Sequence, residues 1–189
     1  AQYPETRLTL RLSDNPVDLT VPESDVAISS SVTEDRGLIY KELVCRDLSI
    51  YSSRNYLLKF GVPLKPQDLD CHRLVVFSDK EMLPFDDANW LLTCGTPPGV
   101  RREPYLSINN LYGVARAVEA GSGIGCLPTY IAAKCENLVQ ILPEIESPHV
   151  RFYFIYPRQL KDSKRIEQLW TFLSQEARKE EASMGKVSL

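Results

Sequence analysis

Between Tyr105 and Pro128 the sequence leaves little choice of local structure. Leu111, Val114, Ala115 and Val118 fall at i, i+3, i+4 and i+7, which puts four apolar side chains on one face of a helix. Asn109 or Asn110 stands where a helix cap is needed, and Gly121 where the helix must stop. The flanking runs Tyr105–Ile108 and Ile124–Leu127 are short and apolar, as strands are. A strand, a capped helix and a second strand in so few residues point to an α/β fold with a helix packed on a sheet.

The rest of the chain repeats the alternation. Leu8, Leu10 and Leu12 alternate with polar residues, the pattern of a half-buried strand over Arg7–Leu12, and Ser13-Asp14-Asn15-Pro16 ends it in turn formers. Asp25–Ile28 reads as a buried strand. The extended stretch from Leu38 to Tyr51 is long enough for two strands, or for one strand that leaves one lobe and enters another. Arg54–Phe60 is a short helix stopped by Gly61, and Pro63–His72 a loop with one helical turn. Leu74–Phe77 and Asn89–Thr93 read as strands, and Gly95–Gly99 as a turn. Pro128-Thr129 opens a helix over Tyr130–Cys135. Leu138–Leu142 and Val150–Tyr156 are further strands. Ser163 can cap a last helix carrying Ile166, Leu169, Trp170 and Leu173, with fraying expected from about Lys179. This order predicts largely parallel sheets.

Charge and cysteine content narrow the function classes. With 22 basic and 25 acidic residues the net charge is -3, and the basic residues are dispersed. A domain that grips DNA needs a basic face, and none is visible. Arg101-Arg102 and Lys161–Arg165 read as solvated surface. No apolar run approaches the roughly 20 residues that span a bilayer, and the polar start does not resemble an export signal. The five cysteines form no C-x-x-C pair, and only His72 and His149 are available to join them. This argues against a zinc site or a disulfide scaffold and for reduced thiols in a cytoplasm. No cofactor motif appears. Gly121-Ser122-Gly123-Ile124-Gly125 follows a helix and precedes a strand, the reverse of a dinucleotide loop, and so reads as a helix stop with tight packing. No catalytic motif is present, which argues against an enzyme.

Parallel α/β sheets bind ligands at the carboxyl ends of strands, beside helix starts. Three places offer small polar groups there: Ser13, Asp14 and Asn15; Ser29, Ser30 and Ser31; and Asn109 with Asn110. The helix start at Asn109-Asn110 would also suit a carboxylate. Turn capping alone accounts equally for all of these residues. Pro128, at the opening of a helix, joins the candidate set.

The order of segments resembles the effector-binding domain of the LysR-type transcription regulators over nearly the whole chain. The carrying residues are Tyr3-Pro4-Glu5 with the Leu8–Leu12 run and Ser13-Asp14, Asp25–Ile28, and Ser52–Leu57 with Gly61, Pro63, Pro66 and Asp68-Leu69. Ala120–Pro128, the most specific piece, and Tyr156-Pro157 before the last helix complete the set. The resemblance implies a periplasmic-binding-protein-like (type 2) fold of two α/β lobes. Residues 1–51 with 158–189 would form lobe I and 52–157 lobe II, with crossings near Ser49–Ser53 and Tyr156–Arg158. It implies a small-molecule effector between the lobes, a homodimer, and a tetramer in the full-length protein. DNA would be reached only through a winged helix-turn-helix domain that this chain does not contain. The family's first strand and most of its first helix also have no counterpart here. A solute-binding transport protein of the same fold is the alternative. The five thiols look like those of redox-responsive regulators of the alphaproteobacterial LsrB kind, with Cys45, Cys71 and Cys135 as candidates because each adjoins a basic residue. A buried, inert thiol is the competing reading, best for Cys126.

Overall fold

The computed structural model describes all residues except 1, 2, 4, 5, 14–23, 33, 34, 79–82, 86 and 185–189, and only the backbone of 181–184. Seven strands are present among the described residues: β1 Ala27–Ser29, β2 Leu38–Ser53, β3 Leu74–Phe77, β4 Leu106–Ile108, β5 Ile124–Pro128, β6 Leu138–Ile141 and β7 His149–Pro157. The α-helices are α1 Arg54–Phe60, α2 Leu111–Glu119, α3 Thr129–Ala132 and α4 Lys164–Met184, with 3₁₀ turns at Pro66–Cys71, Trp90–Leu92 and Arg158–Leu160.

The 16-residue β2 organises the molecule. Its first part, Leu38 to Asp47, pairs antiparallel with β7, whose other edge carries β1. Its last part, from Leu48 to Ser53, pairs antiparallel with β5 and β6. β3 lies parallel between β5 and β4. One strand therefore belongs to two strand groups and changes partners between Asp47 and Leu48. The chain returns to the first group ahead of His149. The expected lobe crossings stood near Ser49–Ser53 and Tyr156–Arg158; β2 changes strand partners beside the first, and β7 pairs over its whole length with the first group.

The sheet is mixed, which corrects the expectation of largely parallel sheets. Parallel pairing is confined to β3, β4 and β5, the strands that alternate with helices. β2 links the groups and runs against every neighbour.

The second group is packed on both faces, and the period-2 rule assigns the residues. Leu48, Ile50, Leu74, Val76, Ile124 and Cys126 point to one core, with Leu91, Leu92 and Tyr56. Tyr51, Val75 and Leu127 point to the other, covered by Val114, Ala115 and Val118 of α2. Full burial of each such aliphatic side chain contributes about 1.5–3 kcal/mol. Asn110 caps α2, its side-chain oxygen accepting from Gly113 N–H at 2.8 Å. The glycine run that follows works by close approach. Gly121 takes φ +88°, a Cβ on Gly123 would lie 2.3 Å from the Arg73 carbonyl oxygen, and one on Gly125 would lie 2.6 Å from Val118 Cγ2.

The first group packs Phe154 and Tyr156 against Ile166, Trp170 and Leu173 of α4. Arg46, buried on β2, donates to the Glu180 carboxylate at 2.9 Å and so ties α4 to the strand just before it changes partners. α4 continues to Met184, beyond the expected fraying at Lys179.

Three further expectations are corrected. Arg7–Leu12 is not a strand, and Leu8, Leu10 and Leu12 are 62%, 80% and 95% exposed. Alternation supplies strand propensity, but a strand also needs a hydrogen-bonded neighbour, and none of the seven lies beside this segment. Asn89–Thr93 is a 3₁₀ turn, not a strand. The Asn89 side chain explains this: its Oδ1 accepts from Phe77 N–H at 3.0 Å and its Nδ2 donates to Phe77 C=O at 2.8 Å. The amide thus occupies the ladder position a strand would have filled. Finally, Arg102 is not solvated surface, since its side chain is only 8% exposed.

Candidate functional site

A cleft of about 350 Å³ opens where the two strand groups meet. From the first group come Ser30, Ser31 and Val32, at the end of β1, and His149, Val150, Arg151 and Tyr153 of β7. From the segment that follows β3 come Phe85 and Asp87. Val150 turns its side chain into the core of the second group, so β7 offers the cleft alternate residues of a strand anchored from below.

The serines are placed by the end of β1. Ser29 pairs with Tyr153 across the ladder, and its Oγ accepts from Ser31 N–H at 3.1 Å. Ser30 Oγ donates to the Pro84 carbonyl, a hydrogen bond between the two sides of the opening. His149 sits at the rim, its Nδ1 2.7 Å from Asp47 Oδ1. Arg151 and Asp87 are both exposed. The cleft therefore combines hydroxyls, a phenol, one guanidinium, one carboxylate and the Phe85 ring, a composition suited to a small polar ligand.

The candidates from sequence are only partly brought together. Ser30 and Ser31 line the cleft, with Ser29 directly behind them. Ser13 lies in the exposed Arg7–Ser13 segment. Asp14 and Asn15 lie outside the described residues. Asn110 is engaged in capping α2, Asn109 precedes it, and Pro128 ends a buried strand; none of the three lines the cleft. Sequence reasoning missed His149, Arg151, Tyr153, Phe85 and Asp87. The signal for the β7 residues was alternation along that strand, which marks its exposed face.

A second cavity of about 420 Å³ lies away from the cleft, beside Asp70, His72, Thr96 and Arg102. Its polar groups hold loops together. Arg102 donates to Asp70 at 2.6 Å and to the carbonyls of Cys94, Pro66 and Leu91 at 2.7, 3.0 and 3.3 Å. Tyr56 Oη accepts from Arg73 N–H at 2.9 Å and lies 3.3 Å from His72 Nδ1. Burial lowers the His72 pKa, and Asp68 opposes this.

Cys71 is exposed, Cys45 and Cys135 are half-buried, and Cys94 and Cys126 are buried. Burial raises the Cys135 thiol, with Glu119 adding to the effect, so adjacency to Lys134 does not activate it. Burial pushes Cys126 up to about 12, against the opposing hydrogen bond from Trp90 Nε1 at 2.7 Å. Among the described residues no group of three or more His, Cys, Asp or Glu is placed to hold a metal ion. No helix among them is long and apolar enough to cross a membrane.

The family model of the LysR substrate-binding domain matches residues 1–178. The chain belongs to this family. A LysR-type regulatory domain of known structure, that of CrgA from Neisseria meningitidis, superposes with a TM-score of 0.79 over 93% of this chain and 86% of that one, at 22% identity. This LysR domain therefore has the type 2 periplasmic-binding-protein-like fold. A probable HTH-type transcriptional regulator of Klebsiella pneumoniae, LtrA, is 30% identical over 77% of the chain and 47% of its own length. An HTH-type regulator of Haemophilus influenzae is 23% identical over 84% of the chain and 55% of its own length. The chain spans about half the length of these curated relatives. It is a LysR substrate-binding domain, and the transport-protein alternative is not favoured. The LsrB-like subtype is not supported by these matches.

Proposed function

We propose that this domain senses a small molecule in its interlobe cleft and passes the result to a DNA-binding part outside this chain. In this reading lobe I comprises residues up to 47 together with those from 149 onward, and lobe II comprises 48–148. Ser29, Ser30, Ser31, Arg151 and Tyr153 hold the effector, a small carboxylate. The full-length protein is a cytoplasmic regulator that forms dimers and tetramers through such domains and is not an enzyme.

One observation carries the reading: the cleft lies between the first strand group, through Ser30–Val32 and β7, and the segment that leaves β3 of the second group, through Phe85 and Asp87. A ligand held there contacts two bodies joined by continuous strands. It shifts their relative arrangement only to the extent that it binds one arrangement more tightly than another.

The test uses the full-length regulator with Ser30→Ala and Arg151→Gln. Both variants are expected to keep ligand-free DNA binding and lose the effector-dependent promoter response. An unchanged response in both overturns the proposal.

A second reading has one observation in its favour, the exposed thiol of Cys71. If it links copies on oxidation, peroxide increases the mass measured by light scattering and Cys71→Ser abolishes the increase. A mass unchanged by peroxide removes this reading.

A further inference from the structure

Arg151 and Asp87 line one cleft from different parts of the fold, Arg151 on β7 and Asp87 in the segment between β3 and the Trp90–Leu92 turn. Both are exposed, and neither side chain has an ion pair or hydrogen bond among the described residues. His149, also on the wall, already engages Asp47. Among the described residues, the cleft therefore presents one unpaired cation and one unpaired anion.

This pairing of opposite charges restricts the ligand. While the cleft is open, water solvates both groups. A ligand with only a carboxylate would satisfy Arg151 and leave Asp87 to be desolvated against it as the lobes close, which is costly. A ligand with only an ammonium has the reverse defect. A molecule that carries both leaves no charge uncompensated. The cleft volume of about 350 Å³ lies at the small end of ligand pockets. Ser30, Ser31 and Tyr153 supply neutral hydrogen-bonding groups, and Phe85 an apolar wall.

We infer that the effector is an amino carboxylate, of amino-acid size, with its carboxylate on Arg151 and its ammonium on Asp87. The inference rests on the cleft being the effector site. It adds the ammonium, and with it a specificity role for Asp87.

The test compares three pools by thermal shift on this chain: the L-amino acids, the same compounds lacking the α-amino group, and the corresponding amines. Calorimetry on the strongest member follows. The amino-acid pool is expected to raise Tm and the other two to raise it much less. Asp87→Asn is expected to weaken the amino-acid ligand about tenfold and leave its des-amino analogue unchanged, while Arg151→Gln weakens both. Both residues are exposed, so neither variant threatens folding. Equal binding of the des-amino analogue, with Asp87→Asn silent, overturns the inference and leaves the cleft reading standing. Amino-acid binding untouched by either variant, with both changing the ligand-free scattering profile alike, means the two charges pair with each other and also overturns it. No shift with any pool overturns the inference and the cleft reading together.

Discussion

Asp47 Oδ1 lies 2.7 Å from His149 Nδ1, and the two residues are Cα partners on the last rung of the β2–β7 ladder. The next residue of β2, Leu48, pairs with Pro128 of β5. The pair therefore joins the two strands at the point where β2 changes groups and β7 begins. The two side chains are 65% and 59% exposed, so the interaction contributes little to global stability. Asp47→Asn is expected to cost at most about 1 kcal/mol in urea unfolding. Its effect should appear instead in the relative arrangement of the two groups, read as a changed small-angle scattering profile. An unchanged profile would show that the rung merely caps the ladder.

Cys126 supplies an alkaline signature. Its ordinary thiol pKa of 9.0 is pushed up to about 12 in the folded chain by burial. Below pH 9 the thiol is neutral folded or unfolded, so it has no pH effect there. Between about 9 and 12 the unfolded chain ionises while the folded chain does not. Stability then falls with rising pH, by up to about 1.4 kcal/mol per pH unit from this group. Cys126→Ala should lower stability at pH 7 through lost packing, yet flatten the decline between pH 9 and 11. Equal slopes for the two proteins would contradict the buried, neutral thiol.

Gly123 allows Arg73 and β5 to approach within a distance no side chain permits. An added Cβ would meet the Arg73 carbonyl oxygen at 2.3 Å and its carbon at 3.0 Å, both backbone atoms that cannot rotate away. The Arg73 carbonyl also accepts from Ile124 N–H at 2.8 Å, so displacing it breaks that bond. Gly123→Ala is expected to destabilise by about 2–3 kcal/mol, measured as a lower urea midpoint with unchanged slope. A wild-type midpoint would show that the loop relaxes freely.

The helices and inner strands were legible in the sequence because their signals are local. Ser53 caps α1, Asn110 caps α2, and the apolar spacing around Val114 and Val118 needs no distant information. Arg7–Leu12 misled because alternation encodes willingness to pair and not the presence of a partner. Asn89 misled because its amide substitutes for a strand edge, a role set by where Phe77 lies in space. The site was half legible for the same reason. Ser30 and Ser31 follow a strand end that the sequence shows. Arg151 and Asp87 meet only because β2 carries two strand groups, and 64 residues of sequence separate them.

Arg102 is the clearest long-range determinant that composition disguised. It reads as half of a surface Arg-Arg pair, yet its guanidinium donates to Asp70 and to the carbonyls of Pro66, Leu91 and Cys94. Those acceptors come from three separate segments: the Pro66–Cys71 turn, the Trp90–Leu92 turn and the bend after it. The planar fork reaches all of them at once, which a lysine's single ammonium cannot do. Removing it leaves buried carbonyls without a donor, each costing about 1–3 kcal/mol unless water replaces it. The carboxylate partner is exposed and can rehydrate, so losing Asp70 matters less. Arg102→Met is therefore expected to cost about 3 kcal/mol or more and Arg102→Lys about 2. Asp70→Asn should cost under about 1 kcal/mol. Urea denaturation of the three variants checks the order. A loss for Asp70→Asn as large as that for Arg102→Met would mean that the ion pair, and not the carbonyl cage, holds these turns together.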